Sequence, residues 1–225
     1  MKLREKFGKA NVTEHQAKHL LQKEGLDVVE NRLAETEEEA EKAAEKIGTP
    51  VVLKVDSKDI HHKTDIGGLK IVNREEKIGE AFREIRENVK EEKEDVDIRG
   101  IIVEEKIEGQ EFIAGINTDP QFGKVLMFGL GGIYVEVFKD VSFRVIPAEE
   151  KDIVSMVDEL ESRPLLEGVR GQEKADMEKL VETLRKLSKI GEKYGDLNSL
   201  DINPIFIKGD QIKIGDALIT LEEEE

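Results

Sequence analysis

Residues 50–72 read Pro50-Val51-Val52-Leu53-Lys54-Val55-Asp56-Ser57-Lys58-Asp59-Ile60-His61-His62-Lys63-Thr64-Asp65-Ile66-Gly67-Gly68-Leu69-Lys70-Ile71-Val72. Two short apolar runs, 51–55 and 69–72, flank a polar loop that holds two of the chain's 4 histidines. Rich in β-branched residues and bounded by Pro50 and Gly67-Gly68, the runs predict strands. Lys54 is out of place in the first of them, because desolvating an ammonium is costly unless an opposite charge meets it. A ligand phosphate would satisfy it; so would a carboxylate, or a path for the head group to solvent.

Working outward, Thr13 and Gln16 have capping-box spacing and open a predicted helix over 13–24, which Gly25 ends. Residues 26–33 read as a strand. Thr36 with Glu39 repeats the capping pattern and opens a charged helix ending near Gly48. After the second strand, 75–92 reads as a helix, 91–97 as a solvated charge run, and 101–103 as a strand. From there to Pro147 the chain is β-rich, with Gly and Asp-Pro punctuation. Helices over 149–160 and 176–194 and strands over 202–207 and 211–214 follow, and the acidic residues 222–225 read as a frayed end. The order is mixed α and β with a hinge near 104–108. Two α+β lobes facing one cleft fit it, and so does one continuous sheet.

At 225 residues the sequence suits one large domain or two small ones. Hydrophobic residues at 38% can supply a core, which excludes wholesale disorder. The Glu/Lys-rich charged surface is of a kind common in hyperthermophile proteins. Acidic residues outnumber basic ones 51 to 35, and the resulting −16 field repels the phosphate backbone of nucleic acids. A local basic or amide-lined pocket could still hold a small anion. The absence of cysteine excludes thiol catalysis, thiolate metal sites and disulfides. No apolar run approaches the roughly 18 residues of a membrane span, and the N-terminus lacks a signal-peptide core. The expectation is a cytoplasmic protein with neither a membrane nor a nucleic-acid partner.

The 59–68 loop concentrates reactive side chains: His61 and His62 beside Lys63, Thr64 and Asp65. An imidazole is nucleophilic at neutral pH and can carry a phosphoryl group covalently. Lys63 could offset the phosphate charge, and Gly67-Gly68 would let the backbone approach a ligand or move. An exposed polar loop without chemistry fits the same residues. Phe128-Gly129-Leu130-Gly131-Gly132-Ile133 could turn N–H groups toward phosphate oxygens, but it is neither a Walker loop nor a dinucleotide fingerprint, and a tight turn is the simpler reading. Asp201-Ile202-Asn203-Pro204 puts two oxygen donors on alternate strand positions, hence on one face, as magnesium held with nucleotide phosphates would require. A strand-edge turn is the plain alternative. Glu104, Glu105 and Glu111 add carboxylates near the hinge.

In this order the segments resemble a known family. Thr13-Glu14-His15-Gln16-Ala17-Lys18, the strand around Lys54 and the 60–68 loop are similar to the ATP-grasp β subunit of the archaeal ADP-forming acetyl-CoA synthetases, the NDP-forming acyl-CoA synthetases related to succinyl-CoA synthetase. So are Asp119-Pro120-Gln121-Phe122-Gly123, the run 127–133, Asp140-Val141-Ser142-Phe143-Arg144-Val145, and the segments 166–171 and 200–204. The resemblance covers nearly the whole chain. It implies an ATP-grasp fold, two α+β subdomains enclosing a nucleotide cleft, with 1–104 carrying the phosphohistidine loop and 105–225 the magnesium site. It also implies a reversible reaction in which acyl-CoA, phosphate and ADP yield the free acid, CoA and ATP. A partner α subunit would bind CoA and carry its own phosphohistidine, in an α2β2 assembly.

By the same resemblance, His62 accepts phosphate and passes it between the α-subunit site and ADP, while His61 falls at a variable position. Lys54 contacts the nucleotide phosphates. Glu104, Glu105 and Ile107 belong to the hinge whose backbone reads adenine, and Glu111 is the acidic residue after it. Gly131 and Gly132 border the phosphates or the α-subunit contact, and Asp201 and Asn203 bind Mg2+. A loop that carries phosphate between subunits must move. The chain departs from the family where Val-Asp-Ala-Arg is common, reading Gly215-Asp216-Ala217-Leu218. Loss of that basic residue keeps a non-catalytic nucleotide-binding regulatory subunit as an alternative. A succinyl-CoA synthetase β chain is another, although such chains are usually longer and lack the histidine loop.

Overall fold

Helices α1 (Arg4–Phe7) and α2 (Glu14–Lys23) lead into β1 (Asn31–Ala34), α3 (Glu37–Ile47), β2 (Val51–Ser57) and β3 (Leu69–Val72). A single 3-10 turn (Glu75–Lys77) and α4 (Ile78–Glu92) precede β4 (Ile98–Glu105), β5 (Gln110–Asp119), β6 (Gly123–Leu130) and β7 (Val141–Val145). Then come α5 (Glu150–Asp158), α6 (Arg163–Leu166), α7 (Met177–Lys193), β8 (Leu197–Lys208), β9 (Gln211–Ile214) and β10 (Ala217–Leu221). This computed structural model describes all residues except 9–11, 61, 94, 133–138, 170 and 223–225. His61, Ile133 and the end of the acidic tail therefore lie outside the described residues. The chain forms two units: Met1–Val12, Ala17–Val28 and Glu108–Glu225 make the larger, Thr13–Gln16 and Val29–Ile107 the smaller.

In the smaller unit an antiparallel sheet has the order β1-β4-β2-β3. Helices α3 and α4 cover one of its faces. Ala40, Ala43 and Ala44 from α3, and Ile78, Phe82, Ile85 and Val89 from α4, recur at helical spacing and bury against Val51, Leu53, Val55, Ile101 and Val103. The Thr36 hydroxyl accepts the Glu39 N–H at 3.3 Å and starts α3, as its sequence predicts. The Glu39 carboxylate turns back to the Glu35 N–H at 2.8 Å, one residue earlier than a regular capping box would place it. Strand alternation sends Val52, Lys54 and Asp56 of β2, with Ile102 and Glu104 of β4, to the face away from those helices.

In the larger unit the antiparallel order is β10-β8-β5-β6-β7, with β9 pairing β8. Phe112 and Phe128 stack at 5.3 Å, and with Ile153, Met156, Leu180, Leu184 and Leu187 they bury the face that α5 and α7 cover. The other face carries exposed Phe143, Val145, Asp201 and Asn203. Near the start of the chain, the Asp196 carboxylate accepts the N–H groups of Leu3 at 2.7 Å and Arg4 at 2.9 Å. Burial pushes that carboxyl upward, but the donated N–H groups and the Arg4 charge outweigh it and hold Asp196 below its ordinary value.

Two strand readings change. The 26–33 run is divided: Val28 makes an isolated parallel bridge to Ile214 in the larger unit, and regular pairing in the smaller unit begins only at Asn31. Strand β8 begins at Leu197, earlier than 202, because β5 and β10 pair it on both sides; β10 itself was not expected from the sequence. Among the described residues no helix is long and apolar enough to cross a membrane.

Candidate functional site

The polar face of the smaller unit gathers a chain of buried charges. Lys54 Nζ lies 2.7 Å from Glu104 Oε1 and 3.2 Å from Glu14 Oε1. Lys63 Nζ reaches the second Glu14 oxygen at 2.7 Å. With side chains 12% exposed or less, these groups are mostly out of water, and only mutual pairing makes that tolerable. Glu14 and Glu104 are carboxylate partners of the kind the sequence left open for Lys54. Beside this chain, Asp56 accepts the His15 N–H at 3.1 Å in the first turn of α2, where the helix dipole favours an anion. The Arg99 guanidinium lies 4.0 Å from Asp56, and His15 Nδ1 is 3.1 Å from Asn31 Oδ1.

His62 sits on the β2–β3 loop with its side chain exposed. Both loop ends are fixed. Asp59 donates its N–H to the Ser57 hydroxyl at 3.1 Å and accepts the Asp97 N–H at 3.0 Å. At the other end the Gly68 N–H donates to Lys63 O at 2.7 Å, and Gly67 N–H to Thr64 O at 3.2 Å. Gly67 adopts φ 65°, and a Cβ there would meet the Asn88 amide, which donates to Gly67 O at 3.3 Å. The glycine pair thus closes a packed turn.

Glu104, expected at a base-reading hinge, commits its carboxylate to Lys54. Glu105 accepts the Glu30 N–H at 2.7 Å and returns its own N–H to Glu30 O at 2.9 Å. Ile107 ends the smaller unit. In the larger unit, Gly131 donates its N–H to Glu111 O at 2.9 Å, and Gly132, at φ 68°, leaves no room for a Cβ beside the Glu111 carboxylate. Glu111 and the two glycines are therefore neighbours.

Asp201 and Asn203 share the open face of β8, as alternation predicts. The β5–β8 register jumps between Ala114↔Ile202 and Phe112↔Ile205, so Asn203 and Pro204 together oppose Ile113 in a bulge. The Asp201 carboxyl is pushed above its ordinary value, first by displaced hydration and then by the charge of Asp216. Asp216 precedes β10 and was missed as a candidate. Leu218, where the family commonly has a basic residue, pairs directly with Asp201. Asp201, whose ionisation the Asp216 charge makes costlier, has an amide on the same strand face at Asn203, and together they offer hard-oxygen donors that a divalent cation would suit. Among the described residues no group of three or more His, Cys, Asp or Glu side chains is disposed around one point. Such an ion would therefore need oxygens from substrate or water as well.

The sign of the Asp201 shift yields a test. A raised folded pKa means that ionising the group opposes folding, a cost absent below its ordinary value and fully present once pH exceeds the raised one. Asp201→Asn is therefore expected to raise the stability of the metal-free chain at neutral pH by under about 1 kcal/mol. If Asp201 helps to hold a divalent cation, the same substitution is expected to remove most of any stability gained on adding magnesium, read from thermal melts with and without the ion.

Residues 4–221 match the ATP-grasp domain. The chain is 41% identical over 220 residues to the β subunit of acetate–CoA ligase (ADP-forming) II from Pyrococcus furiosus, covering 96% of this chain and 93% of that one. A structure of acetyl-coenzyme A synthetase 1 from Ca. Korarchaeum cryptofilum, with coenzyme A and Ca-AMPCP, superposes with a TM-score of 0.93 at 42% identity, covering 97% of this chain and 96% of that chain. Another structure of that enzyme, with coenzyme A, Mg-AMPPCP and its phosphohistidine segment pointing towards the nucleotide binding site, gives 0.84 at 39% identity over 97% and 96% of the two chains. The chain has the ATP-grasp fold and belongs to the family of β subunits of ADP-forming acetate–CoA ligases.

Proposed function

We propose that this chain is the nucleotide-handling β subunit of an ADP-forming acyl-CoA synthetase, with His62 as its phosphoryl carrier. The observation that carries the reading is an exposed imidazole on a loop anchored at both ends, next to a lysine tied into a buried charge chain that includes Lys54. A ring nitrogen of His62 attacks the γ-phosphorus of ATP, the bond to the bridging oxygen breaks, and ADP leaves; ATP synthesis runs the same step in reverse. Lys54 and Lys63 offset charge on the moving phosphoryl group. Glu104, Glu105 and Ile107 are assigned to the base-reading segment, and Glu111, Gly131 and Gly132 to the phosphate border. Asp201 and Asn203, joined by Asp216, would hold Mg2+, which supplies charge neutralisation at the phosphate oxygens.

An α subunit carries the acyl and CoA chemistry in this reading, most simply as α2β2, and the His62 loop moves between nucleotide and partner. The reading assigns the enzyme to the cytoplasm, where ATP and acyl-CoA are available. Reconstitution tests it: this chain mixed with an ADP-forming α subunit should make ATP from acetyl-CoA, ADP and phosphate, with magnesium required. ADP binding without any ATP formation, in a mixture whose α subunit is active with its own β chain, would instead support a regulatory subunit.

A further inference from the structure

One carboxylate, that of Glu14, contacts two lysines placed on different kinds of backbone. Lys54 projects from a central sheet strand, and Lys63 from the loop that bears His62. We propose that Glu14 is a positioning residue for the His62 loop, seating it through Lys63 while sharing its charge with Lys54. The inference rests on the reading of His62 given above.

The loop is secured at Asp59 and at Gly67-Gly68, whereas His62, Thr64 and Asp65 between those points are exposed. Lys63 does the opposite and turns inward until its side chain is 12% exposed. Lysine has high rotamer entropy, so holding it inward requires a strong partner. Glu14 is suited to that task. Its side chain is 3% exposed, and it stands in the first turn of α2. That turn is set by reciprocal bonds between Thr13 and Gln16, at 3.2 and 3.5 Å. A carboxylate carried by a capped helix start is a fixed point, and a mostly buried charge-assisted contact to it is stronger than a surface ion pair. Because Lys63 adjoins His62 in the chain, locating its side chain also locates the imidazole.

The shared carboxylate has a chemical corollary. A phosphoryl group on His62 places a second anion near Lys63, in competition with Glu14. A nucleotide phosphate drawing Lys54 away would shift the pairing of Glu14 toward Lys63. Seating of the loop thus responds to both events through a single side chain.

Glu14→Gln keeps the shape of the residue and removes its charge; Lys63→Gln removes the other partner. Hydrogen–deuterium exchange on the full chain reads the seating directly, since the Gly67 and Gly68 N–H groups bond within the loop. Both variants should speed exchange across 58–68 by about tenfold, and the double variant should be no faster than the faster single one. With the α subunit added, both should slow single-turnover labelling of His62 at saturating ATP, Lys63→Gln without raising the ATP concentration for half-saturation.

Unchanged loop exchange in both variants would overturn the proposal. So would loosening in Glu14→Gln alone, because Glu14 would then act only as the counter-charge of Lys54. Should Glu14→Gln fail to fold, Lys63→Gln decides: faster loop exchange sustains the seating, and wild-type exchange refutes it. Absence of label on the wild-type chain would refute the His62 relay instead, a failure that the exchange measurement does not share.

Discussion

His62→Ala is expected to reduce transfer of labelled γ-phosphate from ATP to this chain by at least about a thousandfold, to background. Alanine offers no nitrogen to form the P–N bond, and another imidazole would have to occupy the same place to rescue the step. His15 is engaged with Asn31, and its N–H is held by the buried Asp56. The fold should not register the loss. Exposed side chains contribute within about 0.5 kcal/mol of nothing, so the thermal midpoint should stay where it is. An acid-sensitive, base-stable label on wild type that disappears in His62→Ala identifies a phosphoramidate. Full labelling of the variant would end the relay assignment and move attention to another nucleophile.

The second large effect is on stability. Lys54→Ala leaves Glu14 and Glu104 facing a gap with one cation removed from a buried chain of four charges. Orphaning a buried charge costs about 3–5 kcal/mol, far above a typical substitution. For a chain of this length that corresponds to a fall in the melting midpoint on the order of 10 °C. The combination Lys54→Met with Glu104→Gln should recover part of the loss, because it removes a buried anion along with the cation. Urea titrations of the single and combined variants would measure the coupling. A combined loss equal to the sum of the losses from Lys54→Met and Glu104→Gln measured singly would mean that the pair is not energetically linked. Nucleotide-dependent stabilisation is a separate readout, and the assignment of Lys54 to phosphates requires that it vanish in both variants.

Much of the scaffold was legible from local chemistry. The caps at Thr13 and Thr36, the helical spacing of Ile78, Phe82, Ile85 and Val89, and the apolar runs around Lys54 and Leu69 each point to one element, and each forms it. The division of 26–33 was not legible, because a run of apolar residues does not state which sheet each will join. Strand β10 was hidden for a related reason: its pairing with β8 joins segments whose register depends on the intervening β9 turn. At the site, burial of a cation was foreseeable from Lys54 and its partner was not. Glu14 is far from Lys54 in sequence, and on a helix of polar composition it looks like any surface glutamate. Asp216, in the segment 215–218, carries no local signal that sets it apart from other surface aspartates. Only the pairing of β8 with β10 brings that segment beside Asp201.

The clasp of Asp196 on the N–H groups of Leu3 and Arg4 has a consequence for biosynthesis. A ribosome releases the start of this chain long before Asp196 exists, at about 5–20 residues per second. The smaller sheet can close once β4 has emerged, since its strands all lie between Asn31 and Glu105. The segment holding Leu3 and Arg4 must meanwhile wait, unclasped, for a carboxylate 193 and 192 residues further along. Maturation of the larger unit is thereby tied to the synthesis of β8, and a nascent chain stalled before it would hold the smaller sheet finished and the larger one unfinished.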